Sequence, residues 1–204
     1  MTLQPLTADN MEQVRIWRNQ VPQTLRTPYL LTAEQQAEYY RKVICNRESH
    51  TRYFALIQNV PTQVGTHDTA PVERFVGYGG IEGIQWETRI GELSLLIGPE
   101  YRRRGYGKRA VSCILAHAWD VLGLETVYAE CYECGAPEFW RTIAKQHRAE
   151  TTTLPRRKYW DGQYWDSLYI TFTPQIPEPG PERDAHGVAW ISTPQGDYIS
   201  DYPN

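Results

Sequence analysis

A chain of 204 residues is long enough to fold as one domain around a buried core. Its formal net charge of −3 at pH 7 argues against a general nucleic-acid-binding protein, because such proteins present a basic face. The sequence has no apolar run long enough to cross a membrane, and its polar start, MTLQPLTADN, is not typical of a signal peptide. We therefore expect a cytoplasmic protein without a membrane span.

The four cysteines should be reduced in that compartment. Cys131 and Cys134 form a C-x-x-C pair, but no second cysteine pair or histidine pair stands at the spacing of a zinc site. We expect Cys113 to lie in a helix core and Cys131 to lie in a strand. The sequence predicts no metal site.

The first part of the chain predicts a short strand, Leu3–Leu6, followed by two helices. Thr7 is a suitable N-cap for a first helix that ends near Asn19. One face of this helix carries Met11, Val14 and either Trp17 or Arg18. A capping box, Thr32-Ala33-Glu34-Gln35, starts a second helix through about Arg47.

Three strands are predicted next, at Arg52–Asn59, Phe75–Ile81 and Ile90–Ile97. Residues 60–72 form a turn-rich excursion between the first two. A third helix then carries apolar residues at helical spacing, which are Val111, Ile114, Leu115, Ala118 and Leu122. Gly123 is expected at its C′ position. The strand Thr126–Cys131 follows by a crossover, so it should run parallel to its predecessor.

The last part of the domain predicts a helix and a hairpin. Pro137 suits a first helical turn, and this helix should run to about Arg148. Asp161-Gly162 separates two aromatic runs, which is a strong hairpin signal. From Pro174 onward prolines interrupt a polar stretch, so residues 174–204 are predicted to be an extension, partly extended and docked through Trp190.

The segment that organises the chain passes from the strand Leu93–Ile97 through a loop rich in arginine and glycine into the third helix. The first N–H groups of a helix lack intrahelical partners and attract an anion. Gly105 and Gly107 remove side chains near those groups. The positive charge around them comes from Arg102, Arg103, Arg104, Lys108 and Arg109. A diphosphate would fit here; the alternative is a solvated turn that caps a core helix.

This loop departs from two other phosphate-binding patterns. A Walker loop needs Ser or Thr after Gly-Lys, whereas Arg109 follows Gly107-Lys108, and the dinucleotide fingerprint needs a third glycine. Instead, the pattern Arg102-x-x-Gly105-x-Gly107 resembles the acyl-CoA pyrophosphate motif of the GCN5-related N-acetyltransferase (GNAT) family. The stretches LQPL, Trp17-Arg18-Asn19 with Arg26, and KYWDGQYWDSLYI are similar to the RimJ/RimL-type branch of that family.

The resemblance implies an α/β GNAT domain over residues 1–173, with a mixed central sheet of six to seven strands flanked by about four helices. It implies acetyl-CoA as co-substrate. It also implies that the central strands of the sheet separate from one another after the strand that ends near Ile97. Backbone groups of Leu95, Leu96 and Ile97 would meet the pantetheine and the thioester oxygen. The pyrophosphate would contact Arg102, Arg103, Arg104, Gly105, Tyr106, Gly107 and Lys108. Arg18, Asn19 and Arg26 either line the acceptor site or tie their loop to the domain.

Transfer to an amine also needs a base and an acid. Glu92, near the start of the Leu93–Ile97 strand, is the first candidate to accept the ammonium proton, and Glu82 is the second. Either carboxylate could instead be a solvated edge residue or a partner of an arginine. The family usually reprotonates the CoA thiolate with a tyrosine on the fourth helix, but Trp140 stands at that position and indole cannot act as the acid.

Three explanations for Trp140 stay open. Another group acts as the acid, with Tyr132 and Cys134 the nearest in sequence; the thiolate leaves unassisted, since its pKa is roughly 8.5; or transfer activity is lost. For the acceptor we favour a small polar amine such as a nucleotide-linked amino sugar. A protein N-terminus, a modified nucleobase and a non-catalytic CoA-binding module are the alternatives. The chain is expected to be a monomer or a homodimer.

Overall fold

The computed structural model describes residues 1–26, 29–60, 72–174, 182–183, 189–193 and 196–199. The chain divides into two compact units, Met1–Thr173 and Pro174–Asn204. The predicted excursion at 60–72 falls almost entirely outside the described residues. None of the described helices is long and apolar enough to span a membrane.

The first unit is a mixed α/β structure with seven strands in one sheet, as the resemblance implied. Its strands are β1 (Thr2–Pro5), β2 (Arg52–Val60), β3 (Val72–Gln85), β4 (Ile90–Ile97), β5 (Thr126–Tyr132), β6 (Glu150–Trp160) and β7 (Gln163–Phe172). Its α-helices are α1 (Ala8–Asn19), α2 (Ala33–Tyr39), α3 (Tyr106–Asp120) and α4 (Pro137–Gln146).

The strand order is β1-β2-β3-β4-β5-β7-β6. Only the pair β4–β5 is parallel within this sheet, because helix α3 crosses over between these two strands. The predicted parallel orientation of the strand beginning at Thr126 is therefore confirmed.

The two faces of the sheet bury different cores. On one face, Leu93 packs in a cluster with residues of α3 and α4, among them Ile114 and Ile143. On the other, Leu96 packs in a cluster with Met11, Val14 and Trp17 of α1. Strand residues alternate between the faces, so one strand serves both cores. The open choice between Trp17 and Arg18 is thereby decided, since Trp17 is buried.

Local signals placed several elements correctly. Thr7 caps α1 as expected, and Asn10 completes a capping box. Asp161 and Gly162 both have positive φ, 50° and 77°, as a two-residue hairpin of the primed type requires. Pro137 is the first residue of α4.

Several predicted boundaries differ from the structure. The strand predicted at Phe75–Ile81 is longer at both ends and runs from Val72 to Gln85. The first strand is Thr2–Pro5 rather than Leu3–Leu6. The second helix ends at Ile44 rather than near Arg47, because its last turn, Tyr40–Ile44, is a π-helix in which the N–H of Cys45 bonds to the carbonyl of Tyr40. Helix α4 ends at Gln146, two residues before the predicted end near Arg148. Gly123 has φ of 65°, but the C-cap is Val121, so Leu122 rather than Gly123 occupies the C′ position.

The second unit contains a three-stranded antiparallel sheet in the order β10-β9-β8, formed by β8 (Glu182–Arg183), β9 (Ala189–Thr193) and β10 (Gly196–Ile199). The backbone of Trp190 pairs with Glu182 and Ile199 in this sheet. The contacts of the Trp190 side chain, and so its predicted docking, lie outside what the structure describes.

Candidate active site

The parallel strands β4 and β5 pair only at their beginnings. Ile90, Gly91 and Glu92 face Thr126, Val127 and Tyr128, and the pairing stops there. On their far sides, β4 remains paired with β3 to Ile97 and β5 with β7 to Tyr132. The inner edges of residues 93–97 and 129–132 therefore flank a gap. Nε of Arg102 donates to the carbonyl of Ile97 at 3.2 Å. The other backbone groups that point into the gap have no partner among the described strands and are available to the amides of a ligand.

The arginine-rich loop leads from the end of β4 to the start of α3. After Gly98 it makes one 3₁₀ turn, Pro99–Tyr101, and then passes through Arg103 and Gly105, with φ of 59° and 76°. No side chain caps the amino end of α3, and its first turn holds no acidic residue. Arg102, Arg103 and Arg104 are exposed beside this end. An anion can therefore reach the free N–H groups.

The two glycines of the loop have different surroundings. A Cβ atom at Gly105 would meet nothing within 4 Å, although its φ of 76° disfavours other residues. A Cβ atom at Gly107 would lie 3.0 Å from the ring of Phe139 on α4. Gly105 thus leaves the helix end open, whereas Gly107 also allows α4 to pack against α3.

Glu92 lies at the last position of β4 that pairs with β5, and 9% of its side chain is exposed. Its Oε1 accepts a hydrogen bond of 2.5 Å from Nη2 of Arg26. Glu82 stands directly across on β3, where a like charge is unfavourable. Burial raises the pKa of Glu92, Arg26 opposes the rise, and Glu82 adds to it; the net shift is upward.

A second buried carboxylate, Glu130 on β5, lies beside the first. Nη2 of Arg26 also reaches its Oε2 at 3.2 Å, so one guanidinium bridges β4 and β5 where the strands separate. Nε of Arg157 and Oγ of Ser167 donate to its Oε1 at 3.0 and 2.7 Å. Burial alone would raise the pKa of Glu130, but these hydrogen bonds outweigh burial and lower it.

Sequence reasoning missed Glu130, although the strand carries a signal for it. Ala129 and Cys131 are buried, while Tyr128 and Glu130 point to the opposite face. The ring of Tyr128 stacks on that of Tyr169, with centroids 5.2 Å apart. Glu130 stands between Tyr128 and Tyr132 at alternate positions of β5, a strand inside the sheet. This alternation indicates that one face of the strand is polar. Arg157 and Ser167 have no comparable signal.

The two candidate acids occupy different environments. Tyr132 is buried at the end of β5, and Nζ of Lys158 lies 4.9 Å from its ring centroid. Burial and the charge of Glu130 raise the pKa of Tyr132, so its hydroxyl is protonated at neutral pH. The Sγ of Cys134 donates to the carbonyl of Gln23 at 3.3 Å, and burial raises the pKa of this thiol.

Trp140 lies on α4 and packs against the core cluster that contains Ile143. Its ring meets that of Phe139 edge to face, with centroids 5.2 Å apart. The indole therefore takes part in the packing of α4.

The segment between α1 and α2 is held by bonds to its backbone. Asn19 accepts from the N–H of Leu31 and donates to its carbonyl, both at 2.9 Å. Nζ of Lys158, on β6, donates to the carbonyls of Pro22, Gln23 and Leu25. Lys158 was not anticipated, and it fixes the backbone directly before Arg26.

Arg18, Asn19 and Arg26 are therefore not equivalent. Arg26 lies at the paired carboxylates, whereas both polar atoms of the Asn19 amide bond to Leu31. Nη1 of Arg18 donates to the hydroxyl of Tyr78 on β3 at 2.7 Å, and its buried Nε has no hydrogen-bond partner in the described part of the chain. Among the described residues, no group of three or more His, Cys, Asp or Glu side chains is arranged to hold a metal ion.

A comparison with protein-family profiles identifies the family of the chain. Residues 1–134 match the profile of an acetyltransferase (GNAT) domain. The chain belongs to the GNAT family of acetyltransferases. As a GNAT protein it is an N-acetyltransferase with acetyl-CoA as co-substrate. No curated protein matches the chain at a significant level.

Solved structures share the GNAT fold at low sequence identity. Mutant forms of the spermidine/spermine N-acetyltransferase SpeG from Vibrio cholerae align with a TM-score of 0.67 and 18% identity, over 84% of this chain and 92% of that one. The Vibrio cholerae spermidine N-acetyltransferase in complex with CoA and spermine aligns with a TM-score of 0.68 and 16% identity, over 84% and 94%. A dodecameric structure of that enzyme gives 0.66 and 16%, over 84% and 92%.

Proposed function

We propose that this GNAT protein transfers acetyl from acetyl-CoA directly to a primary amine held in the gap between β4 and β5. The observation that carries this proposal is the position of Glu92. It is a buried carboxylate at the last residue of β4 that pairs with β5, where the two strands begin to separate. A base at that point can reach an amine that approaches from the polar face of the sheet.

The proposed cofactor site combines the loop and the edge of β4. Acetyl-CoA supplies an activated acetyl group as a thioester. The open amino end of α3 and the exposed arginines Arg102, Arg103 and Arg104 suit its pyrophosphate. The inner edge of Leu95, Leu96 and Ile97, which is not paired with β5, suits the pantetheine and can donate a backbone N–H to the thioester oxygen. The carbonyl of Ile97 is already bonded to Nε of Arg102.

Glu92 is proposed to remove the proton that an ammonium must lose before attack. Its raised pKa brings it nearer to neutral pH and makes it a stronger base than an exposed glutamate. Glu82, across the strand pair, supports this role through its charge.

Tyr132 is our first choice for the acid that protonates the leaving thiolate. It lies on β5, beside the gap, and its hydroxyl is protonated at neutral pH. Cys134 ranks second because its thiol already donates a hydrogen bond to the carbonyl of Gln23. Departure of an unassisted thiolate remains the third possibility.

A cationic aliphatic amine is the acceptor that the charges favour. Glu82, Glu92 and Glu130 stand on neighbouring strands, and the nearby guanidinium groups of Arg26 and Arg157 are already paired with carboxylates. The fold is shared with enzymes described as spermidine acetyltransferases. A nucleotide-linked amino sugar, favoured by the RimJ/RimL-type resemblance, is the second candidate.

Calorimetric titration with acetyl-CoA tests the cofactor site. Gly105→Asp places a negative charge at the open end of α3, and Gly105→Asn is its neutral match. Asn and Asp tolerate positive φ better than other side chains, so both variants should fold. We expect Gly105→Asp to weaken binding by about tenfold or more and Gly105→Asn to weaken it far less. Equal losses would assign the effect to the backbone, and no binding by the wild type would exclude the proposed site.

A further inference from the structure

In the ion pairs that Arg26 makes with Glu92 and Glu130, the carboxylates are far less exposed to solvent than the arginine. The two carboxylates expose 9% and 5% of their side chains, whereas Arg26, which bridges them, exposes 53%. In the described part of the chain, the other ion-paired glutamates expose between 28% and 85%. The buried carboxylates need a cation, since an unpaired buried charge is costly. Arg26 provides that cation from a side chain that is half in water.

An acceptor ammonium needs the same carboxylate. To pass its proton to Glu92, an amine must lie within hydrogen-bond reach of that carboxylate, directly or through one water. Oε1 of Glu92 is occupied by Nη2 of Arg26 at 2.5 Å. Two cations cannot share that position without strong repulsion.

We propose that Arg26 is an internal substitute for the acceptor's ammonium group, which must displace the guanidinium from Glu92 to bind. This inference rests on the proposed acetyltransferase site and deepens it, because it makes Arg26 a determinant of acceptor affinity and restricts acceptors to cations. One positive charge leaves the carboxylates as another arrives, so the buried pair is neutralised in both states.

The surroundings allow the guanidinium to move without the backbone. Lys158 holds the carbonyls of Pro22, Gln23 and Leu25, so the chain is fixed up to the residue before Arg26. Arg157 and Ser167 stay bonded to Glu130 when Arg26 leaves. The guanidinium of Arg26 is 53% exposed and can move into water, and the incoming ammonium then supplies the charge that the buried carboxylates need.

Spermidine is a suitable cationic probe, and calorimetry at pH 8 measures its binding to the full-length protein. Arg26→Gln removes the competing charge, and Arg26→Lys retains it. Arg141→Gln is the matched control, because Arg141 also bridges two glutamates, Glu133 and Glu138, and exposes 45% of its side chain. We expect Arg26→Gln to tighten binding about tenfold, or about 1.4 kcal/mol. Arg26→Lys and Arg141→Gln should stay within about twofold of the wild type.

Unchanged or weaker binding by Arg26→Gln overturns the inference, as does the absence of spermidine binding to every form. Acetyl-CoA titration of the same proteins distinguishes failure of this inference from failure of the proposed function. If the wild type binds acetyl-CoA while Arg26→Gln fails to tighten spermidine binding, only the inference fails. If the wild type does not bind acetyl-CoA, the proposed function fails as well.

A second measurement is made on the folded wild type, with Arg26→Lys used only to assign a signal, and so does not depend on the Gln variant. In ¹⁵N spectra of the arginine side chains, spermidine should move the Nε–H signal of Arg26, assigned through Arg26→Lys, toward that of a solvated arginine. The signal of Arg141 should not move. An unmoved Arg26 signal at saturating spermidine contradicts displacement.

Discussion

At the scale of single residues, the site depends on how one carboxylate is charged. Glu92 has a buried environment, a cationic partner in Arg26 and a like-charged neighbour in Glu82. The first and third favour the neutral acid, and the second favours the carboxylate. Because the net pKa shift is upward, Glu92 takes up a proton at a higher pH than an exposed glutamate does. A protonated Glu92 cannot act as the base. We therefore expect the turnover rate to fall as the pH falls through the pKa of Glu92.

Substitution of Glu92 tests this assignment. Glu92→Gln should lower kcat by about 10²- to 10⁴-fold, the usual contribution of a general base, and abolish the acid limb of the pH–rate profile. Acetyl-CoA binding should persist, because the proposed cofactor contacts come from the loop after Gly98 and from the backbone of residues 95–97, not from the Glu92 side chain. Glu82→Gln is the control: it removes a charge that raises the pKa of Glu92, so the acid limb should move to lower pH while kcat changes little. Equal rates for Glu92→Gln and the wild type would exclude Glu92 as the base.

At the scale of elements, the segment after α1 is positioned by a residue far away in sequence. Lys158 of β6 is 7% exposed and donates to three carbonyls of that segment. Strand β6 is the last strand of the sheet, paired only with β7 among the described strands. Through Lys158, the hairpin β6–β7 thus fixes the position of the backbone that leads into Arg26. A residue at the edge of the sheet therefore helps to place a side chain at its centre.

Replacement of Lys158 by methionine tests this coupling. Lys158→Met keeps the length of the side chain but leaves the carbonyls of Pro22, Gln23 and Leu25 without their donor. The free energy of unfolding should fall by about 1–3 kcal/mol in urea titrations, the usual cost of unsatisfied buried groups. Lys42→Met is the control, since Lys42 is 73% exposed and pairs with the exposed Glu38; it should cost less than about 0.5 kcal/mol. Equal costs would show that the three carbonyls are hydrated without Lys158.

At the scale of the whole molecule, both buried clusters and all seven strands of the large sheet lie within residues 1–172. We propose that residues 1–173 are the acetyltransferase domain and that residues 174–204 are an extension. A protein truncated after Thr173 should bind acetyl-CoA like the full chain. Its Tm should stay within about 4 °C, the shift that about 1 kcal/mol produces in a domain of this size.

Mass measurements on the truncated and full-length proteins complete that comparison. The number of subunits, obtained by dividing the measured mass by the mass of one chain, should be equal if the extension takes no part in assembly. Fewer subunits after truncation would assign the extension to an interface between subunits. Lost acetyl-CoA binding by a folded truncated protein would make residues 174–204 part of the functional unit.

Local signals in the sequence were sufficient for much of the architecture. The capping box at Thr7, the first-turn Pro137 and the Asp161-Gly162 turn act through neighbours a few residues away, so their effects can be read directly. The strand–loop–helix order around Gly105 likewise pointed to an anion site and to the GNAT fold, and the family is confirmed. The π-helical end of the second helix gave no such signal.

The composition of the polar face was decided only by tertiary structure. Arg26 meets Glu130 across 104 positions of sequence, and Lys158 meets the carbonyl of Gln23 across 135. Such contacts depend on the strand order of the sheet, which places β5 beside β4 and then β7 and β6 beyond β5. The sequence by itself therefore determined the elements, the loop and Glu92 as the first candidate base. Only the folded sheet decided that Glu92 is buried beside a second carboxylate and closed by Arg26, because charge and burial depend on neighbours in space rather than in sequence.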